Sequence, residues 1–595
     1  MTRTSRLSTL FSGSKNAHVR ANRKKAESRR LGLENLEGRC VLSSISGVVF
    51  DDANGNGSQD GGESPLAGFT VFHETDGNAI LNVGEDSAVT GADGSYQFSF
   101  PGPSGAWHYG SAIIPAGDAT GRWLNTNNNY QELPIYPGET VDGVMNFGFR
   151  FVPYAGSFYP VGGESLVNQT TAGQQGTAET YESFDANTVA ADSAGNYAVA
   201  WLSPQANLQD QVFVRVFNAD GTPRTNEILV GTANRSSGQI AQMPVVAMSG
   251  DGSRLAVSWN SYSASTATST PLVRTYNGVT GTPVTAAVVV SPYSTKEAYR
   301  ATGIAMDGNG DFAVLMTGGT KSKNGSTNYG ITQFQRFTNA GTAVGNRIQV
   351  VDAALINGTQ AIAMDGAGNF VVVYQESSSD SNSGIFAQRY SASGAKAGSL
   401  ITVVADPAGK RSDNRGASVA MNSSGRFVVA WTGGYLSGDG NGNESETAQV
   451  YNAAGQPLGG KVVLGTGAGG LCPGTAIDSA GNVTVAWKVV PYRGSGPFGP
   501  DVLAATEVRV RRLNADGSLS DTFVVNTTTE GGQIQPAVAA TSSGFIVAWN
   551  GRGAGDDAGV FTQRFTTTPP EAPAAPLSLD AGSVDYLFSN DGSKR

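Results

Sequence analysis

The chain of 595 residues is long enough for about two to four domains with sizeable apolar cores. Charged residues make up only 15% of it, and the net charge of −10 is unevenly distributed. Residues 1–44 carry ten Lys and Arg against three Glu, so the remainder has a net charge of −17. An acidic body suits divalent cations and argues against nucleic acid as a partner. No apolar run reaches the roughly 18 residues of a transmembrane helix.

The basic, Ser-rich segment at residues 1–44 is predicted to be a disordered export leader. Its stretch RRLGLENLEGRCVLSS resembles the "LEPR…LLS" leader of large secreted and surface proteins of planctomycete-type bacteria. The matching residues are Leu33, Glu34, Leu36, Glu37, Arg39, Leu42 and Ser43. The resemblance implies export and a mature chain that begins near Ser44. A short amphipathic helix in a disordered tail is the alternative.

Short strand-like segments alternate with turns over residues 45–150. The segments ISGVVF, AGFTVFHE, SAVT, GSYQFSF, QELPIY and VDGVMNFGFR are rich in β-branched or aromatic residues and are bounded by Gly, Asp, Asn or Pro. About 100 residues of this pattern predict an antiparallel β-sandwich.

The stretch DANGNGSQDGGE, residues 52–63, has the ligand spacing of a calcium-binding loop. Calcium takes about six to eight hard oxygen ligands, which short acidic and amide side chains on a tight loop provide. Gly57 at the sixth position permits the sharp turn. The predicted ligands are Asp52, Asn54, Asn56, Ser58 through its backbone carbonyl, Asp60, and Glu63 through both carboxylate oxygens. A metal-free, Gly- and Asn-rich surface turn is the alternative.

A second window, ETDGNAILNVGE at residues 74–85, follows the same offsets with two departures. Glu replaces Asp at the first position and Ala replaces the turning glycine, so a weaker calcium site is predicted. Its predicted ligands are Glu74, Asp76, Asn78, Ile80 through its backbone carbonyl, Asn82 and Glu85. A third stretch, GDGNGNESE at residues 438–446, repeats only the first three ligand positions, at Asp439, Asn441 and Asn443.

Residues 45–150 resemble the calcium-binding B-type domains of serine–aspartate-repeat surface adhesins. The resemblance rests on ISGVVFDDANGNGSQDGGESPLAGFTVF, the degenerate second window, the GADGSYQFSF hairpin and the closing VDGVMNFGFR, in that order. It implies a non-catalytic β-sandwich spacer that calcium stiffens. A Lys–Asn isopeptide bond, which cross-links some related surface domains, is impossible here because residues 45–150 contain no Lys.

A pattern close to A-x-D-x-x-G-[NDR]-[FY]-x-V-x-W occurs seven times in the rest of the chain, at intervals of 56 to 62 residues. The instances end at Trp201, Trp259, Met316, Tyr374, Trp431, Trp487 and Trp549. Each is followed by a second pair of strands around a tight turn, which gives four short strands per repeat. The fold class is therefore all-β, with a seven-bladed β-propeller over residues 163–566 behind the sandwich. A linear β-array is the alternative.

The last repeat contains only three strands, and a candidate for its fourth strand lies before the first repeat. The segment GESLVNQTTAGQQ at residues 163–175 is similar to the fourth strand of the sixth repeat, DTFVVNTTTEGGQ. Because proteins avoid exposed sheet edges, residues 164–170 are predicted to complete the sheet of residues 536–565 and close the ring. Residues 151–162 are then a linker, and residues 567–595 a Pro/Ala-rich disordered tail.

Asp192, Asp307, Asp365 and Asp478 recur at one position of the repeat. A functional ring of carboxylates is one interpretation, but a local role is favoured. A short acceptor side chain at the start of a tight hairpin bonds the backbone of its own turn. The large residue that ends each repeat is predicted to lie in the core between neighbouring sheets.

The three His residues, His18, His73 and His108, lie outside the repeats, so no His-dependent catalysis or His-ligated metal is predicted there. The favoured interpretation is a non-catalytic secreted or cell-surface bacterial protein. In it, a calcium-stabilised spacer presents the propeller to an extracellular protein or glycan. The alternatives are a polysaccharide hydrolase or lyase that uses acidic residues only, and a purely structural matrix component.

Overall fold

The structure is a computed structural model that describes residues 42–53, 57–74, 81, 84–101, 106–112, 121–125, 130–135, 140–141, 143, 145–153, 158–171, 175, 188–203, 209–234, 244–263, 268–292, 297–320, 330–352, 359–376, 384–406, 414–433, 444–466, 473–489, 506–528 and 532–568. These residues form 37 strands and no helix, so the described chain is all-β. Accordingly, it contains no helix that is long and apolar enough to cross a membrane. Most of the predicted leader and C-terminal tail lies outside the described residues.

The first nine strands form two sheets. They are β1 (Leu42–Asp51), β2 (Thr70–Glu74), β3 (Ser87–Val89), β4 (Ser95–Pro101), β5 (Ala106–Ala112), β6 (Gly121–Asn125), β7 (Tyr130–Ile135), β8 (Thr140–Val141) and β9 (Phe147–Pro153). One sheet has the order β4-β1-β9-β6 with β8 also on β1, and the other has the order β3-β2-β5-β7. Strand β1 pairs in parallel with β8 and β9, which departs from the purely antiparallel prediction. It also begins at Leu42, inside the predicted leader, where it pairs with Pro101.

A single apolar cluster joins the two sheets. Ile45, Phe147 and Phe149 from the first sheet and Val71 and Ala112 from the second belong to it and are buried. Their burial follows from the period-two alternation of the strands, which directs every second side chain inward. Strands β5 and β6 were not among the six segments read from the sequence, because their residues AWHYGSA and GRWLN mix polar and small residues with the aromatic ones.

The remaining strands form seven sheets of four strands. Six sheets contain consecutive strands: β11–β14 (Val189–Ala191, Tyr197–Ser203, Gln209–Phe217, Ile228–Asn234), β15–β18 (Val245–Met248, Arg254–Ser263, Thr268–Asn277, Val288–Val289), β19–β22 (Glu297–Met306, Phe312–Thr320, Ile331–Phe337, Ala343–Asp352), β23–β26 (Gln360–Met364, Phe370–Glu376, Gly384–Tyr390, Ile401–Ala405), β27–β30 (Arg415–Met421, Phe427–Gly433, Ser445–Tyr451, Val462–Thr466) and β31–β34 (Gly474–Ile477, Val483–Val489, Glu507–Leu513, Phe523–Val524). The seventh combines β35 (Ile534–Ala540), β36 (Gly544–Gly553) and β37 (Asp556–Thr566) with β10 (Tyr159–Leu166). We number these sheets 1 to 7 in this order.

The seven sheets form a closed ring. The first strand of each sheet contacts the first strand of the next, and β35 of sheet 7 contacts β11 of sheet 1. Within every sheet, neighbouring strands pair antiparallel. Radial repetition of small antiparallel sheets is the arrangement of a β-propeller, in which only short outer edges stay unpaired.

Strand β10 supplies the outer strand of sheet 7 from the opposite end of the repeat region. Tyr159 lies opposite Thr566 and Leu166 opposite Phe561, and a bulge interrupts the register between Val161 and Ser165. The strand therefore starts before the predicted bounds of 164–170 and ends within them. Its ladder stops after Val167, because the Asn168 side chain then takes the place of a backbone acceptor for Val560 N–H at 2.9 Å.

The two segments that were matched by sequence make the same local contacts. Asn168 Nδ2 donates to Thr170 O at 2.9 Å, and Asn526 Nδ2 donates to Thr528 O at 2.8 Å. Asn526 Oδ1 also accepts from Val508 N at 2.9 Å, as Asn168 Oδ1 does from the corresponding amide of sheet 7. The segment before the first repeat thus has the structure of a fourth strand and the turn that follows it.

The large residue at the end of each repeat motif lies in the seam between two sheets. All seven are buried, and Trp259, for example, shares one cluster with Val212 and Val230 of the preceding sheet. The indole of Trp259 covers Gly231, and the indole of Trp487 covers Gly465 in the same way. The seams therefore hold the predicted inter-sheet core.

Replacing Gly465 by Ala should destabilise the ring by about 1–3 kcal/mol, which is the usual cost of overpacking a closed core. A Cβ at this position would overlap Cζ2 of the buried Trp487 indole. Gly460→Ala is the matched control, because a Cβ there meets nothing within 4 Å. Thermal unfolding of both variants measures the difference. Equal midpoints would contradict this packing.

The recurrent aspartates serve their own turns. Asp192 Oδ1 accepts from the backbone amides of Ala194 at 2.9 Å and Asn196 at 2.8 Å. Asp307 and Asp365 make the equivalent bonds in sheets 3 and 4. The local interpretation of these residues is therefore confirmed.

Candidate functional site

The first predicted calcium loop is closed at its neck by backbone hydrogen bonds. Asp51 N donates to Ser64 O at 2.8 Å, and Leu66 N donates to Val49 O at 2.9 Å. The chain therefore leaves β1 after Asp51 and returns beside it at Ser64 and Leu66. Such a neck brings the first and last predicted ligands together.

Two of the predicted ligands are arranged around the inside of this loop. Asp52 is fully buried, and its Oδ2 accepts from Gly57 N at 2.6 Å, which curls the first half of the loop. Glu63 Oε2 accepts from Asp60 N at 2.9 Å, which curls the second half. The other carboxylate oxygen, Glu63 Oε1, is buried and has no hydrogen-bond partner. A buried acceptor of this kind needs a donor or a cation.

The residues that the structure describes do not complete either predicted calcium site. Asn54 and Asn56 of the first window lie outside them, as do Asp76, Asn78, Ile80 and Asn82 of the second. Ser58 and Asp60 lie in the first loop, Glu74 ends β2 and Glu85 lies just before β3. Within the described parts of the chain, no three His, Cys, Asp or Glu side chains are grouped as metal ligands.

The third stretch ends at a residue that the sequence reading missed. Asp439, Asn441 and Asn443 lie outside the described residues, but Glu446 is in β29 and is completely buried. Burial raises the pKa of the Glu446 carboxyl to about 8, against a hydrogen bond from Thr432 that lowers it. An alignment of the seven repeats with one another would have identified this residue, because most of the other repeats have an apolar residue at the same position.

The first strands of the seven sheets line a central cavity of about 230 Å³. Every sheet contributes one alanine at the same level: Ala190, Ala247, Ala305, Ala363, Ala420, Ala476 and Ala539. The next level holds four methionines from successive sheets: Met248, Met306, Met364 and Met421. The acidic pair that a polysaccharide hydrolase or lyase needs is not among the described residues that line this cavity.

The two ends of the ring differ in the length of their connections. The first and second strands are joined by five residues in sheets 1 to 6 and by three in sheet 7. The second and third strands are joined at the other end by between two residues, 554–555, and 17 residues, 490–506. We call the two ends the constant end and the variable end.

Backbone irregularities also collect at the variable end, where the first strands begin. Bulges interrupt β19 after Ala301, β27 after Arg415 and β35 after Ile534. Gln535 has a φ of 54° and is the non-glycine residue with positive φ among those described. Such conformations occur preferentially at binding sites, and bulges there redirect side chains.

Comparisons with known proteins show likeness in fold at low identity. No protein-family model matches the chain, and no curated protein matches it. The polysaccharide lyase Uly1 is 12% identical with a TM-score of 0.42, over 68% of this chain and 99% of that one. The β-propeller domain of the Trilobed protease from Pyrococcus furiosus is 10% identical with a TM-score of 0.36, over 68% and 100%. The Dos1 propeller is 12% identical with a TM-score of 0.35, over 70% and 98%. Likeness this distant carries no argument about function.

Proposed function

We propose that this chain is a non-catalytic, secreted or cell-surface bacterial protein, in which a calcium-stabilised β-sandwich spacer presents a seven-bladed β-propeller to an extracellular protein or glycan. The spacer corresponds to β1–β9 and the blades to sheets 1 to 7. The observation that carries the binding role is the contrast between the constant and variable ends of the ring. Loops of unequal length on one end of a rigid scaffold are the usual location of recognition.

Calcium would be held by the first loop through Asp52, Asn54, Asn56, Ser58, Asp60 and Glu63. The buried and unpartnered Glu63 Oε1 fits this proposal, because a bidentate carboxylate directs both oxygens at the ion. The ion would join the two halves of the loop, each of which is otherwise held by a hydrogen bond to a side chain, Asp52 or Glu63. The second window would hold a second, weaker ion through Glu74, Asp76, Asn78, Ile80, Asn82 and Glu85.

The variable end is the proposed binding surface. Its longest connection, residues 490–506, has the sequence VPYRGSGPFGPDVLAAT, which includes two aromatic residues and both signs of charge. Aromatic and planar polar side chains recognise sugars and protein surfaces alike. The acidic net charge of the chain outside residues 1–44 disfavours acidic partners such as nucleic acid.

Replacing residues 491–505 by a short Gly-Ser linker should abolish binding while the ring stays folded. The full chain is applied to a glycan array and to immobilised extracellular matrix proteins, with calcium present. Asp516→Asn, in a turn at the constant end, is the control and should bind like the parent. Retained binding by the loop variant would contradict the proposed surface. Release of soluble sugar from a bound polysaccharide would favour the enzymatic alternative instead.

A further inference from the structure

Glu446 is a carboxyl group enclosed between sheets 5 and 6. It lies at the start of β29 and has no solvent exposure. Its Oε1 accepts from Thr432 Oγ1 at 2.9 Å, and its Oε2 is buried without a hydrogen-bond partner. The two oxygens of an ionised carboxylate can accept about four hydrogen bonds, and this one would receive a single bond, from Thr432.

The same position is apolar in most of the other sheets. Glu446 pairs with Thr432, the residue that follows the large residue of its repeat. The residues with the equivalent pairing in sheets 1, 2, 3, 4, 6 and 7 are Val212, Pro271, Thr332, Ile385, Val508 and Val560. The fold therefore does not require an acid here, and Glu446 is an exception among the seven repeats.

The surroundings of Glu446 are apolar. Ala430 and Ala448, which lie on the same face of sheet 5, share a cluster with Leu464 and with Trp487 of sheet 6. Gly465 lies opposite Glu446 in the sheet and is the residue that the Trp487 indole covers. Burying an ionised carboxylate in such a seam is strongly unfavourable unless it is paired.

Among the described residues, the charged groups near this seam do not supply that partner: Glu446 bonds only Thr432, although Arg415 of β27 lies opposite Thr432 in the sheet. On β33, Arg509 is bonded to Glu507 at 2.9 Å, and Arg511 donates to Leu464 O at 3.0 Å and to Ser520 O. Glu444 adds repulsion that raises the pKa of Glu446 further. Lys488 follows Trp487 and lies on the opposite face of its sheet, where its cross-strand partner Val508 packs toward sheet 7.

We propose that Glu446 is a proton-dependent clasp between sheets 5 and 6, closed when the carboxyl group is neutral and weakened as the group loses its proton. The weakened part would be the start of β29, at the variable end of the ring. Proton loss would therefore loosen one sector of the proposed binding surface.

The direction of the pH effect follows from proton linkage. The pKa of Glu446 is raised from its ordinary value of 4.5 to about 8, so the folded seam binds a proton that the opened seam releases. The stability from the clasp is complete below about pH 4.5 and is lost progressively as the pH rises to about 8. Above that range, both states are ionised and the dependence ends.

The test is hydrogen exchange of the full chain between pH 5 and 9, corrected for the intrinsic pH dependence of exchange. Local opening of β29 and β32 should increase at least tenfold from pH 5 to 8 in the parent protein. Glu446→Ile introduces the residue that sheet 4 has at the equivalent position, Ile385. In this variant, the rate of local opening should not change between pH 5 and 8. Local opening of Glu446→Gln should also be independent of pH. This variant keeps the shape of the side chain and replaces the Ile variant if that one does not fold.

Asp521→Asn is the control, because it removes an exposed carboxylate from sheet 6. It should retain the pH dependence of the parent protein. The proposal is overturned if Glu446→Gln and the parent show the same pH profile in β29 and β32. It is also overturned if opening falls, rather than rises, between pH 5 and 8.

Discussion

Saturating calcium should raise the melting temperature of the β1–β9 region by roughly 15–30 °C. A ligand present at about 1,000 times its Kd stabilises the folded state by about 4 kcal/mol. In a region of about 100 residues, each kcal/mol shifts the midpoint by several degrees. Scanning calorimetry of the full chain with calcium or with chelator measures the shift, and hydrogen exchange of β1 and β4 assigns the transition to this region.

Asp52→Asn and Glu63→Gln should each remove most of this calcium response. Both substitutions keep the side-chain length, and both keep an acceptor for the backbone amides of Gly57 and Asp60. Asp93→Asn is the matched control, because the Asp93 carboxylate accepts from Ser95 in an exposed turn of the same region. An identical melting temperature of the parent protein with calcium and with chelator would contradict the calcium proposal.

The repeat pattern predicted the ring because each of its features has a local physical cause. A turn of fixed length, a short acceptor at its first position and a buried large residue at the end of the second strand recur together. Asp365 and Tyr374 show this in sheet 4, where the carboxylate bonds its turn and the ring packs in the seam. The closing strand was also visible, because Asn168 and Asn526 serve the same local structure in both segments.

Other features depend on contacts between distant segments and had no local signature. The parallel pairing of β1 with β9 joins residues about 100 positions apart, and the alternation within β1 is the same for either direction of pairing. Likewise, Glu446 appeared as the last residue of a polar loop sequence, whereas the strand register places it in the seam. The sequence of one repeat does not show burial; comparison across all seven repeats does.

Asn168→Ala should open the closing seam of the ring and cost about 2–6 kcal/mol. Its Nδ2 donates to Asp556 Oδ2 at 2.6 Å and its Oδ1 accepts from Val560 N at 2.9 Å, both in β37. Truncation leaves a buried amide and a buried carboxylate without these partners, and each such group costs about 1–3 kcal/mol. Amide hydrogen exchange of β10 and β37 should therefore be faster in the variant than in the parent protein, under conditions in which the rest of the ring stays folded.

Asn526→Ala is the comparison, because Asn526 makes the bonds to a strand amide and to its own turn within sheet 6 and has no counterpart of the Asp556 contact. It should lower the overall stability by less and leave the exchange of β37 unchanged, whereas β10 also contacts the turn after Asn526 through Glu164 and is read only in the Asn168 variant. The two asparagines differ in the chain separation that they bridge, 392 residues for Asn168 and 18 for Asn526. Closing a long loop costs more conformational entropy than closing a short one, so loss of the Asn168 contacts favours ring opening. Faster exchange of β37 in both variants would mean that the Asn168 contacts do not close the ring at this seam.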